Sequence, residues 1–137
     1  ERFRLKPRIA MLSYSNFGSS DSAEAIKVRD AVSILHRDHP ELVVDGEVQA
    51  NFAMNKTRMK EMFPFSKLSG KEANVLIFPN LSAGNIAYKM IQEMDVGETI
   101  GPILLGMNKP VHILQLGSSV REIVNMVTIA VADAQTR

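Results

Sequence analysis

The residues of this chain that could do chemistry lie in four short turns, each between an apolar run and a helical pattern. The first turn is Ser13–Ser20, where hydroxyl side chains and one glycine precede a predicted helix. Hydroxyls and backbone N–H groups at a helix N-terminus can bind a phosphate, but similar turns also serve as plain helix caps. The glycine spacing matches neither the P-loop nor the dinucleotide-binding fingerprint. From the residues alone, both an anion site and a cap remain open.

The second turn carries two carboxylates, Asp45 and Glu47, with Gln49 and Asn51 close behind. Two carboxylates at a strand end could transfer protons or hold a metal ion. The spacing favours a simpler interpretation, a turn followed by charges that the dipole of the next helix stabilises.

The third and fourth turns offer neutral polar groups and one cation. The third, Phe78 to Lys89, follows a buried apolar run, and its polar members are Asn80, Ser82, Asn85, Tyr88 and Lys89. The fourth follows the apolar segment Val111–Leu114, and its polar members are Gln115, Ser118 and Ser119, with Gly117 between them. None of the three histidines has a partner at metal-ligand or catalytic-triad spacing, so we predict no metal site. The spacing indicates a ligand-binding module without identifying a reaction.

Strands that alternate with helices must position these turns. The predicted strands are residues 8–13, 42–46, 74–78 and 111–114, while residues 103–105 are either a short strand or a buried turn. The predicted helices are about 22–36 with Asp21 as N-cap, about 48–54, one after the third turn, and about 119–134 with a Ser119–Glu122 capping box. This alternation predicts an α/β fold, a mostly parallel sheet with helices packed on it.

Residues 55–70 have the least regular pattern, and they are basic. They are either an anion-facing loop or a solvated surface turn anchored by Phe63 and Phe65, and the pattern favours the surface turn.

Composition sets limits on the class of protein. The chain has 137 residues, of which 45% are hydrophobic and 23% charged, which suits one globular domain. A net charge of +1 argues against a nucleic-acid or membrane surface built on bulk charge, and the absence of cysteine excludes disulfides and thiolate chemistry. No apolar run is long enough to span a membrane, and residues 1–4 do not resemble a signal peptide, so we expect a cytoplasmic protein. The opening without Met suggests a fragment of a longer protein.

Five motifs in order resemble those of the phosphotransacetylases (phosphate acetyl/butyryltransferases). They extend from Arg8 over nearly the whole chain: Ser13-Tyr14-Ser15 with Gly18-Ser19, Asp45–Gln49, Asn74–Pro79, Ala83–Lys89, and Ile100–Gly106 with Lys109-Pro110. The resemblance is to the C-terminal part of that fold, which is related to the isocitrate and isopropylmalate dehydrogenases. It therefore implies that residues 1–137 are the C-terminal part of a phosphotransacetylase-like domain.

A narrower resemblance is to the C-terminal phosphotransacetylase-like domain of bacterial NADP-dependent malic enzymes. It is carried by the segments Phe63–Ser66, Asn80–Asn85 and Val111–Met126. It implies that malic, nicotinamide-binding and N-terminal phosphotransacetylase-like portions precede this chain. NADP and a divalent metal would bind in those catalytic portions, with no cofactor in this one. The domain itself would assemble homo-oligomers and respond to acetyl-CoA or a related acyl-CoA.

The chain departs from the pattern of active transferases at the fourth turn. Active members have Ser-Arg-Gly, where the Arg engages the transferring phosphate and the Ser stabilises the reacting centre. This chain has Gln115-Leu116-Gly117, and Leu116 has neither a charge nor a hydrogen-bond donor. Glu122 stands near the place of the family's Asp base, but the capping box explains it equally well and we favour the cap.

Two further departures neutralise charge, because Asn51 and Asn80 stand where active members commonly carry Asp. Each lost charge-assisted contact would slow the transfer by orders of magnitude. We therefore predict no catalytic residue, with Gln115, Leu116 and Glu122 as degenerate positions. The predicted remnant of the acyl-CoA and phosphate cleft comprises Ser13, Ser15, Gly18, Ser19, Asn80, Asn85, Lys89, Gln115, Gly117 and Ser118. The alternatives are an active phosphate acetyltransferase and a purely structural dimerisation module.

Overall fold

The computed structural model describes residues 5–94 and 96–135. The opening segment 1–4, for which no signal peptide is expected, lies outside the described residues. Contacts divide the chain into two compact units, one formed by residues 5–89 and the other by residues from 90 onwards.

The first unit is built on a parallel sheet whose first strand lies in the middle. The strands are β1 (Arg8–Leu12), β2 (Val43–Val48) and β3 (Val75–Ile77), in the order β2-β1-β3. Ile9 pairs with Val44 on one side and with Val75 on the other, and both pairings are parallel. Parallel strands need long crossover connections, and helices provide them here. The predicted parallel α/β arrangement is confirmed.

Helix α1 (Ala23–Asp38) forms where the apolar stripe predicts it. Its buried residues, Ala25, Val28 and Val32, recur at helical spacing. The predicted N-cap, Asp21, is wrong by one residue: Ser22 has the extended conformation of a cap, and its hydroxyl accepts a hydrogen bond from the backbone N–H of Ala25 at 3.2 Å.

Strand β2 is longer than predicted, because it continues past Asp45 and Gly46 to Val48. The helix predicted at about 48–54 is correspondingly shorter, α2 (Ala50–Ala53). The register shifts here: Met11 is opposite Gly46, but Leu12 is opposite Val48. Glu47 is thus the extra residue of a β-bulge, a feature that redirects a side chain without ending the strand.

The basic segment is more regular than predicted, since it contains helix α3 (Lys56–Met62). Asn55 caps this helix by accepting from the backbone N–H of Arg58 at 3.0 Å, and Met59 is fully buried. The Phe63 ring contacts Phe17 and Phe52, as the anchor interpretation expects, whereas the second predicted anchor, Phe65, touches Phe17 but is 71% exposed. The core joins the strands to α2, α3 and the following turn, and its buried members are Ala10, Leu12, Val48, Ala53, Met59 and Leu68.

Helix α4 (Leu81–Glu93) follows the third turn, and helix α5 (Val120–Gln135) begins and ends close to its predicted bounds. The strand predicted at residues 111–114 is wrong, because the described part of the second unit contains no strand. Its apolar side chains are exposed, and an extended segment is a stable strand only when a neighbouring strand pairs with it. Residues 103–105 are likewise neither a strand nor a buried turn, since Leu104 and Leu105 are exposed. In the described ranges no helix has the length and apolar character needed to cross a membrane.

Candidate functional site

The Ser13–Ser20 loop joins the end of β1 to α1 and is fastened to the end of β2. The backbone N–H of Ser13 donates to the Val48 carbonyl at 3.0 Å, and that of Phe17 donates to the Glu47 carbonyl at 2.8 Å. The backbone N–H of Gln49 donates to Asn16 Oδ1 at 2.8 Å. These bonds give the loop a defined conformation at the carboxyl edge of the sheet, where α/β proteins commonly bind ligands.

The Glu47 side chain is the anchor of this loop and is completely buried. Its Oε1 accepts from the Ser15 hydroxyl at 2.9 Å and from the backbone N–H of Gly18 at 2.8 Å. Its Oε2 accepts from Arg29 Nε at 3.1 Å. Arg29 also donates through Nη2 to the Ser20 carbonyl at 2.7 Å, so helix α1 holds both the carboxylate and the loop.

These contacts keep Glu47 charged although it is buried. Burial raises the pKa of the carboxyl, but hydrogen bonds from Arg29, Gly18 and Ser15 favour the ionised form, and the net result is a lowered pKa. The hydrogen bond to Glu47 raises the pKa of Arg29. Both side chains are therefore charged at neutral pH.

The sequence-predicted members of the loop fall into two environments. Ser15 is buried beneath the loop, whereas Gly18 and Ser19 are exposed and Ser13 is half-buried. The hydroxyl oxygens of Ser15 and Ser19 are 3.0 Å apart. Ser15 and Gly18 bond to Glu47, and Ser13 and Ser19 bond to Ser15, so the structure brings these four residues together.

The carboxylates of the second turn are structural members of β2, and their interpretation as a turn with helix-start charges is wrong. Asp45 is buried, and its Oδ2 accepts from the Ser66 hydroxyl and the Lys67 N–H, each at 2.8 Å. Asp45 thus fixes the segment after α3, just as Glu47 fixes the Ser13–Ser20 loop. Internal donors satisfy both carboxylates, and this allows the strand to continue through them.

The third turn forms a second group of predicted residues in the same unit. Asn80 Oδ1 accepts from the backbone N–H of Ala83 at 2.9 Å and so caps α4. Asn85 and Lys89 follow one turn apart on that helix and are exposed. Lys27 of α1 donates to the Pro79 carbonyl at 2.9 Å and ties the start of the turn to α1.

The fourth turn belongs to the other unit. Ser118 donates through its hydroxyl to the Gln115 carbonyl at 2.9 Å, and Gly117 has a positive φ of 90°. The Leu116 side chain between them is fully exposed. Glu122 Oε2 accepts from the Ser119 N–H at 2.6 Å, and the Ser119 hydroxyl accepts from the Glu122 N–H at 3.2 Å. The predicted capping box is confirmed.

We expect Ser119→Ala to destabilise the domain by about 1 kcal/mol, because it removes one of the two capping hydrogen bonds of α5. Glu122→Gln should leave stability nearly unchanged, since an amide oxygen can still accept from Ser119. Urea unfolding followed by circular dichroism measures both variants. A loss for Glu122→Gln as large as that for Ser119→Ala would show that Glu122 does more than cap the helix.

Arg29 is the member of the site that sequence reasoning missed. A signal for it existed: Glu47 follows the apolar residues Val43 and Val44 and precedes Val48, so a carboxylate in that strand requires a countercharge. Spacing could not show which cation supplies it. Among the described residues, no cluster of three or more His, Asp or Glu side chains forms a possible metal site.

The described residues line two open cavities, and the second borders the fourth turn through Ser119 and Glu122. One, of about 630 Å³, is lined by Lys56, Thr57, Lys60, Glu61 and Gly70 beside α3. The other, of about 510 Å³, lies within the second unit and is lined by residues that include Glu98, Ser119 and Arg121. An exposed ion pair of 2.7 Å joins Arg121 to Glu98.

Comparisons with known proteins agree on the family that this chain resembles. The sequence profile of the Phosphate acetyl/butaryl transferase family matches residues 1–131. The NADP-dependent malic enzyme of Haemophilus influenzae is 48% identical over 134 residues, covering 98% of this chain and 18% of that enzyme. The phosphate acetyltransferase of Bacillus subtilis is 43% identical over 132 residues, covering 96% of this chain and 41% of that enzyme.

Solved structures agree with the sequence comparisons. A phosphotransacetylase from Streptococcus pyogenes matches with a TM-score of 0.90 and 39% identity, over 99% of this chain and 41% of that one. The EutD phosphotransacetylase from Staphylococcus aureus matches with a TM-score of 0.87 and 37% identity. The predicted α/β fold of the phosphotransacetylases is therefore confirmed, and the chain spans less than half the length of each of these relatives.

Proposed function

This chain belongs to the phosphate acetyl/butaryl transferase family, and from that membership we propose that it is a regulatory part of an NADP-dependent malic enzyme. In this proposal the domain binds acetyl-CoA or a related acyl-CoA without converting it and helps to assemble a homo-oligomer. The parent would oxidatively decarboxylate malate to pyruvate in the cytoplasm, with NADP and a divalent metal bound in its own catalytic portions.

The observation that carries the proposal is the side chain at position 116. The resemblance to active transferases calls for an arginine there, and Leu116 instead exposes an alkyl side chain with no donor. The 48% identity to the malic enzyme of Haemophilus influenzae over nearly the whole chain supports that parent.

A second candidate function is an active phosphate acetyltransferase, with Glu122 as base and a cation such as Lys89 in place of the arginine. The 43% identity to the Bacillus subtilis phosphate acetyltransferase favours it. The capping contacts of Glu122 argue against it, because the carboxylate already accepts from Ser119 and has a structural reason to be there.

A third candidate is a structural dimerisation module without a ligand. Helix α5 carries exposed apolar side chains along its length, namely Val120, Val124, Val127 and Val131. Exposed apolar groups in such a row are typical of surfaces that another protein surface covers. Mass measurement of the complete protein and of Val124→Glu tests this role.

We expect acetyl-CoA to change the rate of malate oxidation by the complete protein, and calorimetry to show heat of binding. The titration follows NADPH formation at fixed malate while acetyl-CoA increases, with free CoA as the matched control ligand. An unchanged rate together with the absence of binding heat would refute the sensing role and leave the dimerisation module.

We also expect the protein to form acetyl-CoA from acetyl phosphate and CoA at a rate several orders of magnitude below that of an active transferase, because the charge that stabilises the phosphate is absent. A thiol assay measures the consumption of CoA. A rate close to that of the Bacillus subtilis enzyme would establish the second candidate instead.

A further inference from the structure

The hydrogen bonds of the Ser13–Ser20 loop have a fixed direction because they end at a buried carboxylate. An ionised carboxylate only accepts, so Ser15 gives its single hydroxyl proton to Glu47 Oε1. The 3.0 Å contact between the Ser15 and Ser19 hydroxyls then requires the proton of Ser19. Ser19 therefore donates inward, and its oxygen also accepts from the Asn16 N–H at 2.9 Å.

The backbone N–H groups of the loop are also used internally. The donors that bond to acceptors within the same unit are those of Ser13, Ser15, Asn16, Phe17, Gly18 and Ser19. A phosphate cradle needs N–H and O–H groups that point towards the ligand. Ser19 instead presents to solvent the remaining lone pair of its exposed hydroxyl oxygen.

The hydroxyls of Tyr14, Ser20 and Ser22 form a second chain of hydrogen bonds, which uses the protons of Tyr14 and Ser20. Tyr14 donates to the Ser22 hydroxyl, so its 3.1 Å contact with Ser20 takes the proton of Ser20. Ser22 in turn accepts from the Ala25 N–H as the cap of α1. The hydroxyls of Tyr14 and Ser20 thus add no outward donor beside the acceptor that Ser19 presents.

We propose that the Ser13–Ser20 loop recognises a hydrogen-bond donor of its ligand, an amide N–H or a hydroxyl, at Ser19 Oγ, and not a phosphate. This inference rests on the proposed function, because an acyl-CoA carries such donors on its pantetheine arm. The phosphates of the molecule lie beyond that arm. The loop would therefore bind the pantetheine part of the ligand.

The test is a calorimetric titration of the complete protein with acetyl-CoA, pantetheine and inorganic phosphate. We expect Ser19→Ala to weaken the binding of acetyl-CoA and of pantetheine by about 3- to 10-fold, the effect of one neutral hydrogen bond, and to leave phosphate unaffected. The matched control is Ser33→Ala, which removes an exposed hydroxyl of α1 that bonds to the Arg29 carbonyl. It should change none of the three titrations.

A weaker phosphate interaction in Ser19→Ala, or unchanged binding of pantetheine, would overturn the proposal. If the wild-type protein binds no acetyl-CoA, the sensing function fails, and Ser15→Ala then decides the direction of the hydrogen bonds separately. That variant releases the Ser19 proton, so it should bind phosphate more tightly than the wild type does, and Ser15→Gly replaces it if it does not fold. No gain of phosphate binding in a folded variant would refute the fixed direction.

Discussion

Gly46→Ala should prevent stable folding of the first unit. A Cβ at residue 46 would lie 2.4 Å from the Met11 carbonyl oxygen and 2.9 Å from Met11 Cβ, and Gly46 has a φ of 146° that side chains disfavour. Both contacts are with the central strand, which cannot move without disturbing the sheet on both sides. We expect a loss of more than about 3 kcal/mol, at the upper end of single-residue effects. Urea unfolding followed by circular dichroism measures it.

The matched control is Gly84→Ala in helix α4, the same chemical change in the same unit. A Cβ there would meet the Phe78 side chain at 3.5 Å, an ordinary van der Waals distance. Alanine is a better helix former than glycine, so stability should rise by up to about 1 kcal/mol. A Gly46→Ala variant as stable as Gly84→Ala would show that β2 does not approach β1 as described.

Arg29→Met should lower the folding equilibrium constant by roughly a hundredfold or more, because it leaves the buried Glu47 carboxylate without its countercharge. The variant keeps an unbranched alkyl side chain, so the principal loss is electrostatic. It also frees the Ser20 carbonyl, and exchange of the amide hydrogens in the Ser13–Ser20 loop should become faster. Denaturant unfolding and hydrogen exchange measure the two effects.

Arg37→Met is the control for that variant. Arg37 lies on the same helix and bonds to Asp38 at 2.7 Å, but both side chains are largely exposed, so water replaces the lost contact. Its effect on stability should be close to zero. Equal losses for the two variants would contradict a special role for Glu47.

The pH dependence of stability has a defined sign. The folded pKa of Glu47 is lowered, so the stabilisation is complete above its ordinary value of 4.5 and is lost as pH falls through the lower folded value. In Arg29→Met much of this acid-sensitive stabilisation should be absent, which flattens the decline on the acid side.

Elements whose signals lie within a short stretch of sequence were predicted correctly. The apolar stripe of α1 and the capping box of α5 are each encoded within one or two helical turns, and both are confirmed. The N-cap of α1 was wrong by one residue because Asp21 and Ser22 are both good caps, and only backbone conformation distinguishes them. The strand predicted at residues 111–114 is absent from the described residues, because a strand requires a neighbouring strand, and the residues of the segment itself do not specify that neighbour.

The site shows the same division between local and distant information. The hydroxyl-rich loop was recognisable from its residues, but the partner that organises it was not. Glu47 and Arg29 are 18 residues apart in the sequence and lie on different elements, and each has an ordinary surface interpretation when considered alone. The bulge that turns Glu47 towards the loop depends on the pairing of β2 with β1, which no single segment encodes.

The central position of β1 has a consequence for synthesis on the ribosome. β1 leaves the ribosome before its two neighbours, β2 and β3, which end at Val48 and Ile77. Until both have emerged, the nascent chain displays an apolar strand with an unpaired edge, the kind of surface that chaperones cover and that aggregates form on. Pauses in translation before β3 has left the ribosome would prolong that exposure, and pauses after β3 has left it would be harmless to this unit.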